Sequence, residues 1–149
     1  MRALAGAGAG FLLAVLWFDL MFDVQAIPHH GPVLPEEVLA SISAYYRRVT
    51  TAARPMNRLI ALVMLGTLAA IVIELLRRHT QLWVAWASLV AAAAPIALAG
   101  TRTVPSAVRL GARHDPTERQ SALARSICRQ HIFCAIAIAA LLVLQLAFA

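Results

Sequence analysis

The sequence predicts an all-α membrane protein with four transmembrane helices in a bundle and helical extensions on the cytoplasmic side. Of the 149 residues, 61% are hydrophobic and only 13% are charged, whereas soluble domains average about 45–50% apolar and about 25% charged residues. Four apolar runs account for the excess, and each is close to the roughly 20 residues that a helix needs to cross the hydrocarbon core. This composition excludes a disordered chain, a disulfide-rich mini-protein and an ordinary cytosolic enzyme.

The apolar runs define one four-helix transmembrane domain over residues 1–149. Because backbone groups in lipid must be satisfied internally, a helix is predicted for every run. The expected spans are about 3–24, 57–76, 82–100 and 131–148, with two cytoplasmic segments at 25–56 and 101–130.

The two cytoplasmic segments carry helix signals of their own. Pro35 precedes Glu36 and Glu37 at the start of a stretch with apolar residues at helical spacing, which is typical of a helix N-terminus. The motif Asp115-Pro116-Thr117-Glu118 predicts a second start with Asp115 as the cap. No Gly or Pro follows it, so a helix of about 33 residues is expected to run to the C-terminus.

The first run has features of a secretory signal peptide, including the small-residue pattern Val24-Gln25-Ala26. Asp19 and Asp23 interrupt the region in which cleavage would occur, so we expect a retained first span. Within this span Gly6, Gly8 and Gly10 predict a close-packing helix face, because Gly6 and Gly10 form a small-xxx-small pair.

Arginine distribution predicts the orientation. All 13 basic residues are Arg, and only Arg2, Arg77 and Arg78 lie on the side that holds the termini. Positively charged loops favour the cytoplasm, so we expect a multi-pass protein of the bacterial inner membrane with both termini on the non-cytoplasmic side. The net charge of +6 is attributed to contact with the lipid bilayer, and no nucleic-acid partner is expected. The ten remaining arginines lie on the opposite side: Arg47, Arg48, Arg54, Arg58, Arg102, Arg109, Arg113, Arg119, Arg125 and Arg129.

Asp19 and Asp23 are the first candidates for function, because ionisable side chains inside a span are costly and commonly functional. They lie one turn apart on one helix face. One interpretation, which we favour, is that they fix helix packing by pairing with an arginine of another segment. The alternative is a proton-handling or metal-binding carboxylate pair. The arginines considered as partners are Arg58, Arg102 and Arg129.

His131 is the second candidate, and it lies between Cys128 and Cys134 on the fourth apolar run. The two cysteines are about 9 Å apart along a helix, too far to share one zinc ion. We therefore predict no metal site and assign His131 a hydrogen-bonding or proton-transfer role. Because an imidazole whose donor and acceptor have no hydrogen-bond partner is costly in lipid, the ring is expected to point into the bundle.

Polar groups from several segments are expected to line a pocket at the cytoplasmic mouth of the bundle, where a lipophilic molecule with a polar head could bind. The residues selected for chemistry are Asp19, Asp23, Arg102 and His131. Those selected for ligand binding are Tyr46, Asn57, Arg58, Ser106 and Arg129.

Three motifs occur in a distinctive order. Tyr46-Arg47-Arg48-Val49 leads through Arg54-Pro55-Met56-Asn57 into the second span, and Thr101-Arg102-Thr103-Val104-Pro105 follows the third, before a long last helix with His131 near its start. This order resembles a four-helix membrane family that includes anthrone oxygenase-like proteins. The chain departs from the family pattern at Ser106, where the family has Asn, and at Cys128-Arg129-Gln130, which replaces a Trp-rich segment. The resemblance implies oxygenase-like activity and directs attention to His131 and Arg102.

Two classes of function follow. The first is an oxidoreductase- or oxygenase-like enzyme that acts on a lipophilic aromatic or quinone-like molecule at the cytoplasmic face. The second is a non-catalytic accessory subunit of a larger respiratory, photosynthetic or transport complex. In either case a homo-oligomer or a larger membrane complex is expected, and the sequence identifies no cofactor.

Overall fold

The computed structural model describes residues 1–52, 54–77 and 81–148, and within these ranges it contains helices and no strand. The all-α prediction is therefore confirmed. A 3-10 turn over Val24–Ala26 follows α1, and π-helical turns occupy Arg48–Ala52 and Ala99–Thr103. The α-helices are α1 (Arg2–Asp23), α2 (Glu36–Arg47), α3 (Arg54–Arg77), α4 (Leu82–Leu98), α5 (Val104–Ala112) and α6 (Thr117–Ala147).

Four helical stretches in the described residues are long and apolar enough to cross a membrane, as predicted. They are Arg2–Ala26, Pro55–Arg77, Leu82–Ala112 and Thr117–Ala147. The last two have 31 residues each, or about 46 Å at 1.5 Å per residue. Because the hydrocarbon core is only about 30 Å thick, both helical stretches continue beyond it. The long last helix predicted from the sequence is confirmed as α6.

The four long helices form a ring in which α1 and α4 each contact both α3 and α6. Small residues allow this close arrangement: Ala5 and Ala9 of α1 and Ala92 of α4 are completely buried. Ile71, Ile138 and Leu141 fill the space between them. These residues form the membrane core of the bundle.

A second core forms where α2 packs against α5 and both contact the first half of α6. Leu39 and Ile42 of α2, Leu110 of α5 and Ile127 of α6 are all fully buried there. The amphipathic pattern that predicted a helix behind Pro35 is thus used to cover the start of α6. This second cluster is called the cytoplasmic core below, after the side on which the sequence predicts these segments to lie.

The close approach of α1 to α3 is made by Gly8, which confirms one of the three glycines predicted for the packing face, whereas the prediction is wrong for Gly6 and Gly10. A Cβ added at Gly6 or Gly10 meets no described atom within 4 Å, whereas one at Gly8 would overlap Thr67 Oγ1. Gly6 and Gly10 are each rotated by about 100° from the buried alanines that precede them. Gly6 and Gly10 have the spacing of a packing pair but lie on another face of α1, and only Gly8 makes the predicted close contact.

The turn between α5 and α6 differs from the predicted cap. Arg113 ends α5 in the left-handed region with φ 54°, and its guanidinium donates hydrogen bonds to Glu36 and Gln120. Asp115 does not cap α6, because its carboxylate accepts a hydrogen bond from Arg109 at 2.7 Å.

Both termini lie at the end of the bundle opposite to the cytoplasmic core. The Phe148 ring packs edge-on against Trp83 at the start of α4, with ring centroids 5.1 Å apart. The amino group of Met1 and the Arg2 guanidinium act electrostatically on Glu74 near the end of α3. The even number of crossings predicted from the sequence requires this arrangement.

Candidate functional site

A buried polar network lies at the boundary between the membrane core and the cytoplasmic core. On α6, His131 lies between Ile127 of the cytoplasmic core and Ile138 of the membrane core. On α1, Asp19 and Asp23 occupy the corresponding level near the helix end. The network therefore lies where the bundle changes from its lipid-embedded part to its polar end.

Asp23 is the centre of the network and is 0% exposed. Its Oδ1 accepts a hydrogen bond from the Tyr46 hydroxyl at 2.6 Å, and its Oδ2 lies 2.6 Å from His131 Nδ1. Both oxygens thus act as acceptors, as expected of an ionised carboxylate. The network assigns the proton of a neutral imidazole to Nδ1, because only that tautomer donates to Asp23.

Asp19 forms the outer part of the network and is half-buried. Its Oδ1 accepts a hydrogen bond from the Tyr45 hydroxyl at 2.6 Å. The Tyr45 ring stacks on Phe22 with centroids 4.1 Å apart, which holds the hydroxyl in place. The second carboxylate oxygen of Asp19 lies 3.9 Å from His131 Nε2, so it contributes charge beside that nitrogen without a direct hydrogen bond.

His131 points into the bundle with 8% of its surface exposed, which confirms the prediction for its side chain. Nδ1 faces Asp23, and Nε2 has no hydrogen-bond partner among the described residues. With the proton on Nδ1, the Nε2 lone pair is free. A histidine held in this way by a carboxylate can take up a proton at Nε2.

The favoured interpretation of Asp19 and Asp23 as partners of an arginine is wrong. The side chain that lies beside both carboxylates in the described structure is His131, while Arg58, Arg102 and Arg129 are exposed. Burying a guanidinium carries a large desolvation cost. The tyrosine hydroxyls of α2 satisfy the carboxylates at a lower cost, since neither needs to leave water as an ion.

The alternative interpretation of the two carboxylates as metal ligands finds no support in the described residues. No group of three or more His, Cys, Asp or Glu side chains is arranged there to hold a metal ion. Cys128 and Cys134 are buried and free. The proton-handling part of that alternative is the part that agrees with the geometry.

Burial raises the pKa of the Tyr45 and Tyr46 hydroxyls above the ordinary value of 10.0, and the nearby charges of Asp19 and Asp23 raise it further. These are the two tyrosines of the chain, so a titration reports on the network alone. We expect tyrosinate absorbance to stay absent in the folded protein above about pH 10 and to appear only as the chain unfolds. Because the pKa of both tyrosines is higher in the folded than in the unfolded protein, the stability that their protonated hydroxyls contribute is complete below about pH 10 and is lost as the pH rises further. Ionisation of both tyrosines near pH 10 in the folded protein would contradict this prediction.

The other residues selected from the sequence do not join the network. Asn57 donates a hydrogen bond to the Thr50 carbonyl at 3.1 Å, and Ser106 is half-buried on α5. Arg58 and Arg102 extend from the helix surface. Their assigned roles in binding and chemistry remain predictions.

A groove of about 350 Å³ opens one helical turn from the network, between α6 and the segment that follows α1. Ala26 and Cys128 form part of its floor, and Arg129 lines it together with His29 and His30. Of the residues selected for ligand binding, Arg129 is therefore the one that lines an open cavity beside the network.

Tyr45 is a member of the network that the sequence placed among the polar groups at the mouth of the bundle but did not select for chemistry or ligand binding, although its neighbour Tyr46 was selected. The two tyrosines are adjacent in the chain, so a single helix should direct them about 100° apart. The structure uses both, because Asp19 and Asp23 are themselves displaced by one turn on α1. The only signal in the sequence is the pairing of two adjacent tyrosines with two aspartates at a one-turn spacing.

Comparison of the chain with protein-family models, with curated proteins and with solved structures gives no match.

Proposed function

We propose that this chain is an integral membrane enzyme of the oxidoreductase or oxygenase-like type, with His131 as its acid–base group and a lipophilic aromatic or quinone-like molecule as its substrate. The observation that carries the proposal is the buried Asp23–His131 pair, with 2.6 Å between Oδ2 and Nδ1 and with Nε2 unpaired among the described residues. A buried pair of this kind selects one imidazole tautomer and leaves one nitrogen for proton transfer.

The charges around His131 favour its role as a base. When Nε2 takes a proton, the imidazolium lies between the carboxylates of Asp23, at 2.6 Å, and Asp19, at 3.9 Å. A positive charge that develops on the ring during proton transfer therefore has carboxylate oxygens on both sides. Tyr45 and Tyr46 hold both carboxylates in position. The substrate atom that gives up the proton is accordingly an acidic O–H or C–H.

The position of the network supports a lipophilic substrate. Trp17, Phe18 and Met21 lie around Asp19 on α1 and are all more than half exposed. On α6 the residues that follow His131, Ile132 and Phe133, are also exposed and apolar. A molecule that approaches this end of the bundle from the bilayer crosses apolar side chains before it meets a carboxylate.

The test uses anthrone as the probe, with dioxygen as the oxidant and purified protein in detergent. We expect the intact protein to accelerate oxidation of anthrone, and the His131→Leu variant to lose about 100-fold or more of this activity, the usual contribution of general acid–base catalysis. Ile136→Leu is the matched control, since Ile136 is on the same helix and exposed. Asp19→Asn provides a second variant at a half-buried position that is less important for folding.

Equal activity of His131→Leu and Ile136→Leu would contradict the proposal. The proposal would also be contradicted if Asp19→Asn kept the full rate and His131→Leu lost activity only because the variant was unfolded. In both cases the network would be a structural element.

The second candidate function is a non-catalytic subunit of a larger membrane complex. The observation that favours it is that both oxygens of Asp23 are hydrogen-bonded to Tyr46 and His131 and that Asp19 accepts a hydrogen bond from Tyr45, so the network by itself joins α1, α2 and α6. Co-purification of the native protein with a larger complex, and no anthrone oxidation by either form, would support this candidate. A stable isolated homo-oligomer that oxidises anthrone would support the enzyme.

We also propose a bacterial inner-membrane location with both termini outside the cytoplasm. Ten arginines on the side of the cytoplasmic core against three on the other side support this orientation. We expect a tag at the C-terminus to react with a membrane-impermeant label in intact cells. Labelling only after the cells are opened would contradict the orientation and would place the network on the outer face.

A further inference from the structure

A second cavity, remote from the histidine network, lies between α2 and α5 at the cytoplasmic end of the molecule. Its volume is about 550 Å³. Its polar lining comes from Ser43, Arg47, Thr50, Thr51 and Arg113, and Gly111 and several alanines form the rest. We propose that this cavity binds the phosphate of an anionic phospholipid head group.

Charge is the first reason. Arg47 lines the cavity on α2, is exposed, and has no acidic partner among the described residues. Arg113 lines the opposite wall and shares its charge with Glu36 at 2.8 Å. Arginine donors in a planar fork match the oxygens of a phosphate, and they retain their charge at every accessible pH.

The second reason is the hydroxyl of Ser43, which is buried and has no hydrogen-bond partner among the described residues. Other helical hydroxyls of this protein satisfy themselves by donating to the carbonyl four residues earlier, as Thr50, Thr67 and Ser121 do. Ser43 does not use the same solution although it lies within α2. A buried donor without an acceptor is unusual and calls for a partner. The oxygen of a ligand in the adjoining cavity is such an acceptor.

The third reason is depth in the membrane, which distinguishes a lipid from free phosphate. Helix α4 has 17 residues and covers about 26 Å, and the π-helical turn that follows brings the chain to about 33 Å. The hydrocarbon core is about 30 Å thick, so α5 begins at the level of the lipid phosphates. On α5 the cavity lining begins at Val108, about 6 Å further along the helix, so the cavity lies on the cytoplasmic side of that level, next to the head-group layer.

The experiment is native mass spectrometry of the purified full chain titrated with phosphatidylglycerol. We expect one lipid to be retained, and Arg47→Gln to weaken its binding about tenfold, as expected for the loss of one charged hydrogen bond. Arg48→Gln is the matched control, because Arg48 is the next residue, is exposed and does not line the cavity. Ser43→Ala is expected to weaken binding in the same direction.

Equal lipid binding by Arg47→Gln and Arg48→Gln would overturn the proposal, and so would equal binding of phosphatidylcholine and phosphatidylglycerol by the intact chain. If millimolar inorganic phosphate alone displaced the lipid, the proposal that the bound phosphate belongs to a lipid would be wrong. Thermal unfolding of each variant without added lipid confirms that the exposed substitutions leave the fold intact.

Discussion

Replacing Asp23 with Ala is expected to lower the free energy of unfolding by about 2–6 kcal/mol, because it leaves two buried hydrogen-bonding groups unpaired at about 1–3 kcal/mol each. The substitution leaves the Tyr46 hydroxyl and His131 Nδ1 without the acceptors that they now reach at 2.6 Å. Both groups are buried, and water does not replace the lost oxygens at low cost. Chemical unfolding of the purified variant in detergent measures the effect.

Asp115→Ala is the control for that experiment. Asp115 forms an ion pair with Arg109 at 2.7 Å, but the arginine side chain is 51% exposed. Exposed pairs contribute about 0–1 kcal/mol, so Asp115→Ala is expected to change stability little. A similar loss in both variants would contradict the central position assigned to Asp23.

Gly111→Ala is expected to lower the free energy of unfolding by about 1–3 kcal/mol through overpacking. A Cβ at this position would lie 2.8 Å from the Arg47 backbone nitrogen and 3.1 Å from the Tyr46 carbonyl carbon. These are backbone atoms, so α2 itself must move away from α5. The gain in helix propensity from Gly to Ala, about 0.5–1 kcal/mol, offsets only part of that cost.

The same substitution provides a second measurement, because Tyr46 is carried on the helix that must move. We expect Gly111→Ala to bring ionisation of the tyrosines closer to their ordinary pKa by loosening the Tyr46–Asp23 bond. Gly100→Ala is the control, since a Cβ there meets no described atom within 4 Å. If Gly111→Ala is as stable as Gly100→Ala, then α2 and α5 do not pack as closely as the structure indicates.

The sequence was sufficient for the architecture because hydropathy acts along the chain. A run of apolar residues of membrane-spanning length admits one backbone solution in lipid, so α1, α3, α4 and α6 were predicted from composition and length alone. The inward direction of His131 was predicted in the same way. A polar ring on an otherwise apolar helix is stable in lipid only when it points into the bundle and finds hydrogen-bond partners. The structure confirms this orientation, with His131 8% exposed.

The partners of Asp19 and Asp23 were decided by the tertiary structure. Helical spacing shows that the two carboxylates share a face of α1, but it contains no information about which segment arrives opposite that face. The packing of α2 over the end of α1 brings the hydroxyls of Tyr45 and Tyr46 to 2.6 Å from the two carboxylates. The positively charged arginines that the sequence offered as partners stay exposed. The same limit applies to Gly8 and Gly111, whose close neighbours belong to other helices. Periodicity determines the faces of a single helix, whereas contacts between helices depend on crossing distances and connecting turns that no local pattern encodes.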